Sequence, residues 1–173
     1  ARALLAHLIA NGTTYAPWSV DTHRVYSTGF SNGAFMSARL GCQAPDIFAA
    51  IATVSGILAP LPNPLMDPNA TVFSCAASGR AVPLLHVHST SDVLVAYDGN
   101  DAMGPWDSAA NYTAAWSKRN GCGAQATVSF ANESAAVHAG NSSVKCLSRC
   151  EGMQNVTLCT VEGGGHAWPG GRC

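Results

Sequence analysis

Three side chains, spaced along the chain in one order, could assemble a nucleophilic site. Gly29-Phe30-Ser31-Asn32-Gly33 has the pattern G-x-S-x-G. A serine hydroxyl attacks a carbonyl only when a neighbouring base takes its proton. Asp92 follows the apolar run Val82-Pro83-Leu84-Leu85-His86-Val87-His88, and His166 follows Asn155-Val156-Thr157-Leu158-Cys159-Thr160-Val161 in a loop opened by Gly163-Gly164-Gly165. Imidazoles titrate near neutral pH, so His166 is the candidate base. Asp92 would hold that ring in the productive tautomer and stabilise the imidazolium. The Asn32 backbone N–H is the candidate oxyanion donor. Such a set performs acyl transfer through a covalent intermediate and needs neither cofactor nor metal.

These groups require strands that end where they begin. Residues 24–28 are β-prone and run into the pentapeptide; Ala34 to Cys42 then lacks Pro and, before Gly41, Gly. That context predicts a strand, a sharp turn and a helix over 32–42, with Ser31 raised at the turn. Gly29 and Gly33 are expected to let the backbone turn without a Cβ clash. The helix N-terminus behind Ser31 favours developing negative charge. Further strands are expected at 49–54, 82–88 and 155–161. A helix is expected from Pro105 to Arg119, closed by Asn120-Gly121. Its buried face would be Trp106, Ala109, Ala110, Thr113 and Trp116. Residues 2–10 read as a helix with Leu4, Leu5, Leu8 and Ile9 on one face. A Pro-rich loop is expected over 56–80, and a polar hairpin-like region over 125–150. Strands alternating with helices make an α/β fold with a parallel sheet.

Other residues compete for roles. Asp98 and Asp101 are alternatives to Asp92 as the acid. His86 and His88, two apart on a strand, point to one face as metal ligands can; the plainer reading is a packed pair beside the site. Trp168 either lines a substrate pocket or braces the glycine loop. Trp106 and Trp116 read as core. His7, His23 and His138 read as surface or helix residues.

The stretches Val25-Tyr26-Ser27-Thr28-Gly29-Phe30-Ser31-Asn32-Gly33-Ala34-Phe35-Met36, Ala44 to Ala52, His88-Ser89-Thr90-Ser91-Asp92, Tyr97-Asp98-Gly99 and Gly163 to Gly171 cover most of the chain in order. Together they resemble the secreted feruloyl esterase and polyhydroxybutyrate depolymerase group of the α/β-hydrolases. The resemblance implies an α/β-hydrolase fold and the triad Ser31, Asp92 and His166. It also implies an ester substrate: a feruloyl or acetyl group on cell-wall polysaccharide, or a polyhydroxyalkanoate. Disulfides Cys42–Cys75 and Cys122–Cys150 are implied on the same ground. Ser89 departs from the group's usual Gly, and Ala167 from a common Thr; neither removes a catalytic group. No His-Gly loop precedes Ser31 to supply a second oxyanion donor. The expectation is therefore that residues 1–173 are a partial catalytic domain, lacking the first strands and a closing helix.

Composition narrows the class. The chain has 173 residues, 11% charged residues and a formal net charge of −1. No basic run is present to follow a nucleic-acid backbone. No apolar run approaches the roughly 18 residues of a membrane span. Seven cysteines are dispersed without a zinc-type pair, which suits disulfides in an oxidising compartment. Sequons begin at Asn11, Asn69, Asn111, Asn132, Asn141 and Asn155, where chance placement would give about 1.6. Asn155 opens an expected core strand, which leaves the other five as glycosylation candidates. The expectation is a secreted serine esterase. The alternative is a secreted glycoprotein of the same fold that binds polysaccharide or a partner without catalysis.

Overall fold

Apolar runs separated by Gly, Pro and Asn fold here into one sheet with helices packed on it. The computed structural model describes residues 2–15, 19–58, 75, 79–99, 107–122, 127–130, 143–150 and 152–169. In chain order the elements are α1 (Arg2–Tyr15), β1 (Tyr26–Phe30), α2 (Asn32–Gln43), β2 (Ala50–Val54), β3 (Leu84–Ser89), α3 (Ala109–Arg119), β4 (Thr127–Phe130), β5 (Val144–Arg149) and β6 (Val156–Val161). The strands form a single sheet in the order β1-β2-β3-β6-β5-β4. The first four are parallel neighbours. β5 and β4 return antiparallel along the far edge. The fold is α/β, a mostly parallel sheet flanked by helices. Residues 127–130 and 144–149 form the paired arms of the expected hairpin region.

Side-chain alternation decides what the sheet buries. Ile51 and Thr53 of β2, Leu84, His86 and His88 of β3, and Val156 and Leu158 of β6 are all buried. They line the face against which α2 and α3 pack. α2 buries Ala34, Ser37, Ala38, Gly41 and Cys42, a stripe at helical spacing. α3 buries Ala109, Tyr112, Thr113, Trp116 and Ser117 in the same pattern. The expected α3 face thus needs one correction: Ala110 is exposed and Tyr112 takes its place. Ser108 caps this helix, its Oγ accepting the Asn111 N–H at 3.1 Å. Pro105, Trp106, most of the Pro-rich stretch, Asp101, His138 and Cys173 lie outside the described residues.

Asn120 and Trp116 anchor the far end of α3 to the start of β3. The Asn120 side chain accepts the Val82 N–H at 3.2 Å and donates to the Val82 carbonyl at 2.9 Å. Trp116 Nε1 donates to the same carbonyl at 2.8 Å. A side-chain amide here does what a neighbouring strand would do for a buried peptide unit.

α1 forms where the sequence reading expects a helix and extends beyond it. It runs to Tyr15, and its apolar stripe is not buried: Leu4 is 63% exposed and Ile9 43%. Arg2 joins it to Asp46 through two hydrogen bonds of 2.9 Å, an exposed pair that water screens. On the sheet face away from α2 and α3, Tyr26 and Leu85 are likewise exposed.

Disulfides join Cys42 to Cys75, Cys122 to Cys150 and Cys146 to Cys159. The third, absent from the sequence reading, crosses directly between β5 and β6, where the two cysteines are register partners.

Candidate active site

The candidate residues collect at the carboxyl ends of β1, β3 and β6, the edge where open parallel sheets bind ligands. β1 reaches two residues further than expected, so Phe30 ends the strand and Ser31 follows it directly. Ser31 N–H donates to the Val54 carbonyl at 2.9 Å, holding the turn against β2. Its backbone sits at φ 53°, ψ −117°, a left-handed conformation that L residues adopt only when surroundings impose it. It stands at the cap of α2 but makes no side-chain capping bond. A serine in that position ordinarily spends its hydroxyl on the helix; here the hydroxyl is left for other use.

Close backbone approach explains the turn. A Cβ on Gly29 would lie 2.2 Å from both the carbonyl carbon and the oxygen of Gly33. A Cβ on Gly33 would meet nothing within 4 Å. The steric demand attributed to both glycines therefore falls on Gly29 alone. Gly56, not singled out in the sequence, is also required: its Cβ would lie 2.6 Å from the Ser31 carbonyl oxygen. Ser55 before it takes φ 48°. The chain leaving β2 thus presses against the Ser31 turn.

Asp92 and His166 meet because β3 and β6 are neighbours whose ends are laced together. Thr90 N–H extends the pairing to the Val161 carbonyl at 2.9 Å, and Thr90 Oγ1 donates to Glu162 Oε2 at 3.0 Å. From this stem the Asp92 carboxylate reaches His166 Nδ1 at 2.8 Å through Oδ2 and 3.0 Å through Oδ1. Oδ1 also accepts the backbone N–H groups of Val95 at 2.9 Å and Leu94 at 3.0 Å. Burial pushes this carboxyl up, but the Val95 N–H, His166 and the Leu94 N–H outweigh burial and hold it below the usual carboxylate range. Asp92 is an ionised acceptor with no exposed side-chain surface. Its bond to Nδ1 leaves Nε2 of His166 as the basic nitrogen. Of the alternative acids, Asp98 lies in the following turn and makes no such bond among the described residues, and Asp101 is outside the described residues.

The His166 ring packs on Phe30, centroids 4.7 Å apart and planes tilted by 44°. Phe30 immediately precedes Ser31, which brings the serine turn and the Asp92–His166 pair to one place. No hydrogen bond between Ser31 and His166 occurs among the described residues; such bonds commonly tighten only when substrate arrives. Asn32 opens α2, where the first backbone N–H groups have no helical partner. Its own N–H makes no hydrogen bond among the described residues. Trp168, two residues past His166, is 48% exposed.

His86 and His88 are buried and hydrogen-bonded in series. Thr53 Oγ1 lies 2.8 Å from His86 Nδ1, His86 Nε2 lies 3.2 Å from His88 Nδ1, and His88 Nε2 lies 2.8 Å from the Val95 carbonyl. Every ring nitrogen of the pair thus has a protein partner. The alternation on β3 placed the two rings on one face; nothing local in the sequence pointed to Thr53. Among the remaining candidates, the Asn11 amide donates to the His7 carbonyl within α1 at 3.0 Å, and Asn111 is exposed on α3. Asn69, Asn132 and Asn141 are outside the described residues. Among the described residues no helix is long and apolar enough to cross a membrane.

A mostly parallel sheet with a strained serine turn after one strand, and an Asp–His pair after two others, has the architecture of an α/β-hydrolase. Sequence comparison leads to the same class. NocK of Nocardia uniformis subsp. tsuyamanensis, which carries an esterase name, is 30% identical over 164 residues, covering 88% of this chain and 44% of NocK. Feruloyl esterase B of Piromyces equi is 30% identical over 159 residues, 88% of this chain and 26% of that protein. A poly(3-hydroxybutyrate) depolymerase of Ralstonia pickettii is 28% identical over 195 aligned residues, 97% of this chain and 34% of the depolymerase. The chain is related to esterases and spans less than half the length of these relatives. No protein-family model matches it.

Proposed function

We propose that this protein is a secreted serine esterase that hydrolyses carboxylic esters through an acyl-enzyme on Ser31. The observation that carries the reading is the doubly bonded Asp92–His166 pair, packed on the residue next to a strained serine. His166 Nε2 takes the Ser31 proton as the oxygen attacks the ester carbonyl. Asp92 stabilises the imidazolium that forms. The Asn32 N–H and the N-terminal end of α2 receive the developing oxyanion. His166 then returns the proton to the leaving alcohol. Water activated by the same nitrogen releases the acid and regenerates Ser31.

The names of the relatives suggest the substrate class: a feruloyl or acetyl ester on polysaccharide, or a polyhydroxyalkanoate. Trp168, exposed on the His166 loop, is positioned to take a sugar or aromatic face of the substrate. Three disulfides and the sequon density support passage through an oxidising secretory compartment. Asn111 on the surface of α3 is the glycosylation acceptor best supported by its exposure.

The test is covalent labelling by a serine-directed fluorophosphonate, read by peptide mass spectrometry on the full-length protein. Label on Ser31 that disappears in Ser31→Ala supports the reading. A folded protein that takes no label refutes it and favours a binding protein of the same fold.

A further inference from the structure

The two histidines behind Asp92 have one consistent pattern of protons. The Val95 carbonyl can only accept, so His88 Nε2, 2.8 Å away, carries hydrogen. Burial holds His88 below its ordinary range and drives His86 down to about 3, with His88 adding to the latter effect. Both rings are therefore neutral near pH 7, and His88 Nδ1 is a bare acceptor. His86 Nε2, its partner at 3.2 Å, must donate. His86 Nδ1 is then bare in turn and takes the Thr53 hydroxyl hydrogen at 2.8 Å. One backbone carbonyl thereby sets two tautomers and one hydroxyl.

The chain ends at Val95, in the turn that holds Asp92. His88 Nε2 also lies 3.4 Å from Asp92 Oδ2, the oxygen that meets His166 Nδ1 at 2.8 Å. Among the described residues, the titratable groups facing the two rings are Asp92 and Tyr97 from the loop after β3, His166 from the loop after β6, and Tyr112 from α3.

We propose that His88 is a positioning residue for the Asp92–His166 pair: its neutral Nε2–H, kept in one tautomer by the Thr53–His86 chain, holds the Val95 carbonyl of the turn whose Val95 and Leu94 N–H groups bind Asp92. This rests on the reading of Asp92 and His166 as a catalytic pair. A charged donor in the same place would compete with His166 for the carboxylate. A neutral ring bonded to Val95 steadies the turn that binds the ionised form and leaves its charge to His166. Losing the bond to Val95 loosens the turn that carries those N–H groups, so Asp92 becomes easier to protonate and freer to rotate.

The experiment uses the full-length protein and p-nitrophenyl acetate as probe, after fluorophosphonate labelling of wild-type Ser31. Absence of that label would refute the catalytic reading itself and is seen before any variant is made. His88→Leu removes the donor; His88→Gln can return an amide N–H near the Nε2 position. The expected result for His88→Leu is a fall in kcat of about ten- to a hundredfold. KM should change less than about twofold, and the acid limb of kcat/KM should move to higher pH. His88→Gln should restore most of kcat and the acid limb. Equal losses in both variants, or wild-type kcat and acid limb in a folded His88→Leu, would overturn the proposal. Ring ¹⁵N NMR of the wild type decides it even if His88→Leu does not fold. Single protonation at Nε2 of both rings over about pH 5–8 supports it. A His88 proton on Nδ1, or a doubly protonated ring in that range, overturns it.

Discussion

Asp92 grips His166 with both carboxylate oxygens, 2.8 Å and 3.0 Å from Nδ1, while one of those oxygens is also held by two backbone N–H groups. The ring is thus oriented by a group that is itself fixed to the chain. Asp92→Asn retains an oxygen for the Val95 and Leu94 N–H groups but removes the charge, and can present an N–H where Nδ1–H must bond. Esterase kcat should fall by about 10⁴-fold in a protein that still folds. Ester turnover and a thermal melt measured side by side check this.

The buried histidines make the fold acid-sensitive. The folded state resists protonating His86 until about pH 3, whereas an unfolded histidine protonates near pH 6.5. Between those values the unfolded chain binds the extra proton, so stability falls as pH falls. His86 alone contributes a slope of about 1.4 kcal/mol per pH unit across that window. His88 adds in the same direction, and Asp92, held below its ordinary range, adds only at more acid pH. Urea unfolding at pH 7.5, 6 and 5 should give steadily lower midpoints. A flat profile would contradict neutral burial of the pair.

Gly29→Ala places a methyl 2.2 Å from the Gly33 backbone, where no side-chain rotation can relieve it. The serine turn must open, at a cost of about 3 kcal/mol. Fluorophosphonate labelling of Ser31 should be lost even at temperatures where the variant remains folded by circular dichroism. Gly33→Ala, whose methyl meets nothing, serves as the control and should label normally.

Asn120→Ala removes both hydrogen bonds to Val82, but Trp116 Nε1 still satisfies the Val82 carbonyl. The buried Val82 N–H is orphaned, and Arg119 and the Gln154 carbonyl each lose a weaker contact, so the cost should be about 2 kcal/mol. Denaturant unfolding should show a lower midpoint with an unchanged slope.

Legibility from the sequence followed the range of the interactions concerned. The strands at 50–54, 84–89 and 156–161 were readable because short apolar runs between turn residues have few other solutions. Asp92 and His166 stood out because each follows such a run in a turn-forming stretch. That β3 and β6 are neighbours is a long-range fact, since α3, β4 and β5 intervene in the chain. No local pattern records it. For the same reason Thr53 on β2 and Gly56 beside the Ser31 turn were invisible: their roles come from what lies across the sheet. α1 was legible as a helix with one apolar side, but spacing does not report whether anything covers that side. Tyr112 displaced Ala110 from the buried stripe of α3 because rotation about the helix axis is set by Trp116 and Asn120 reaching Val82.

The Cys146–Cys159 bond spans the two positions that face each other across β5 and β6. Because strand partners alternate sides, a slip of one residue would turn these sulfurs to opposite faces, and a slip of two would carry them out of reach. Closure of this bond during oxidative folding therefore proofreads the pairing of the strand that leads into the His166 loop. Reducing conditions, which open this bond, would remove that constraint on the alignment on which the histidine depends.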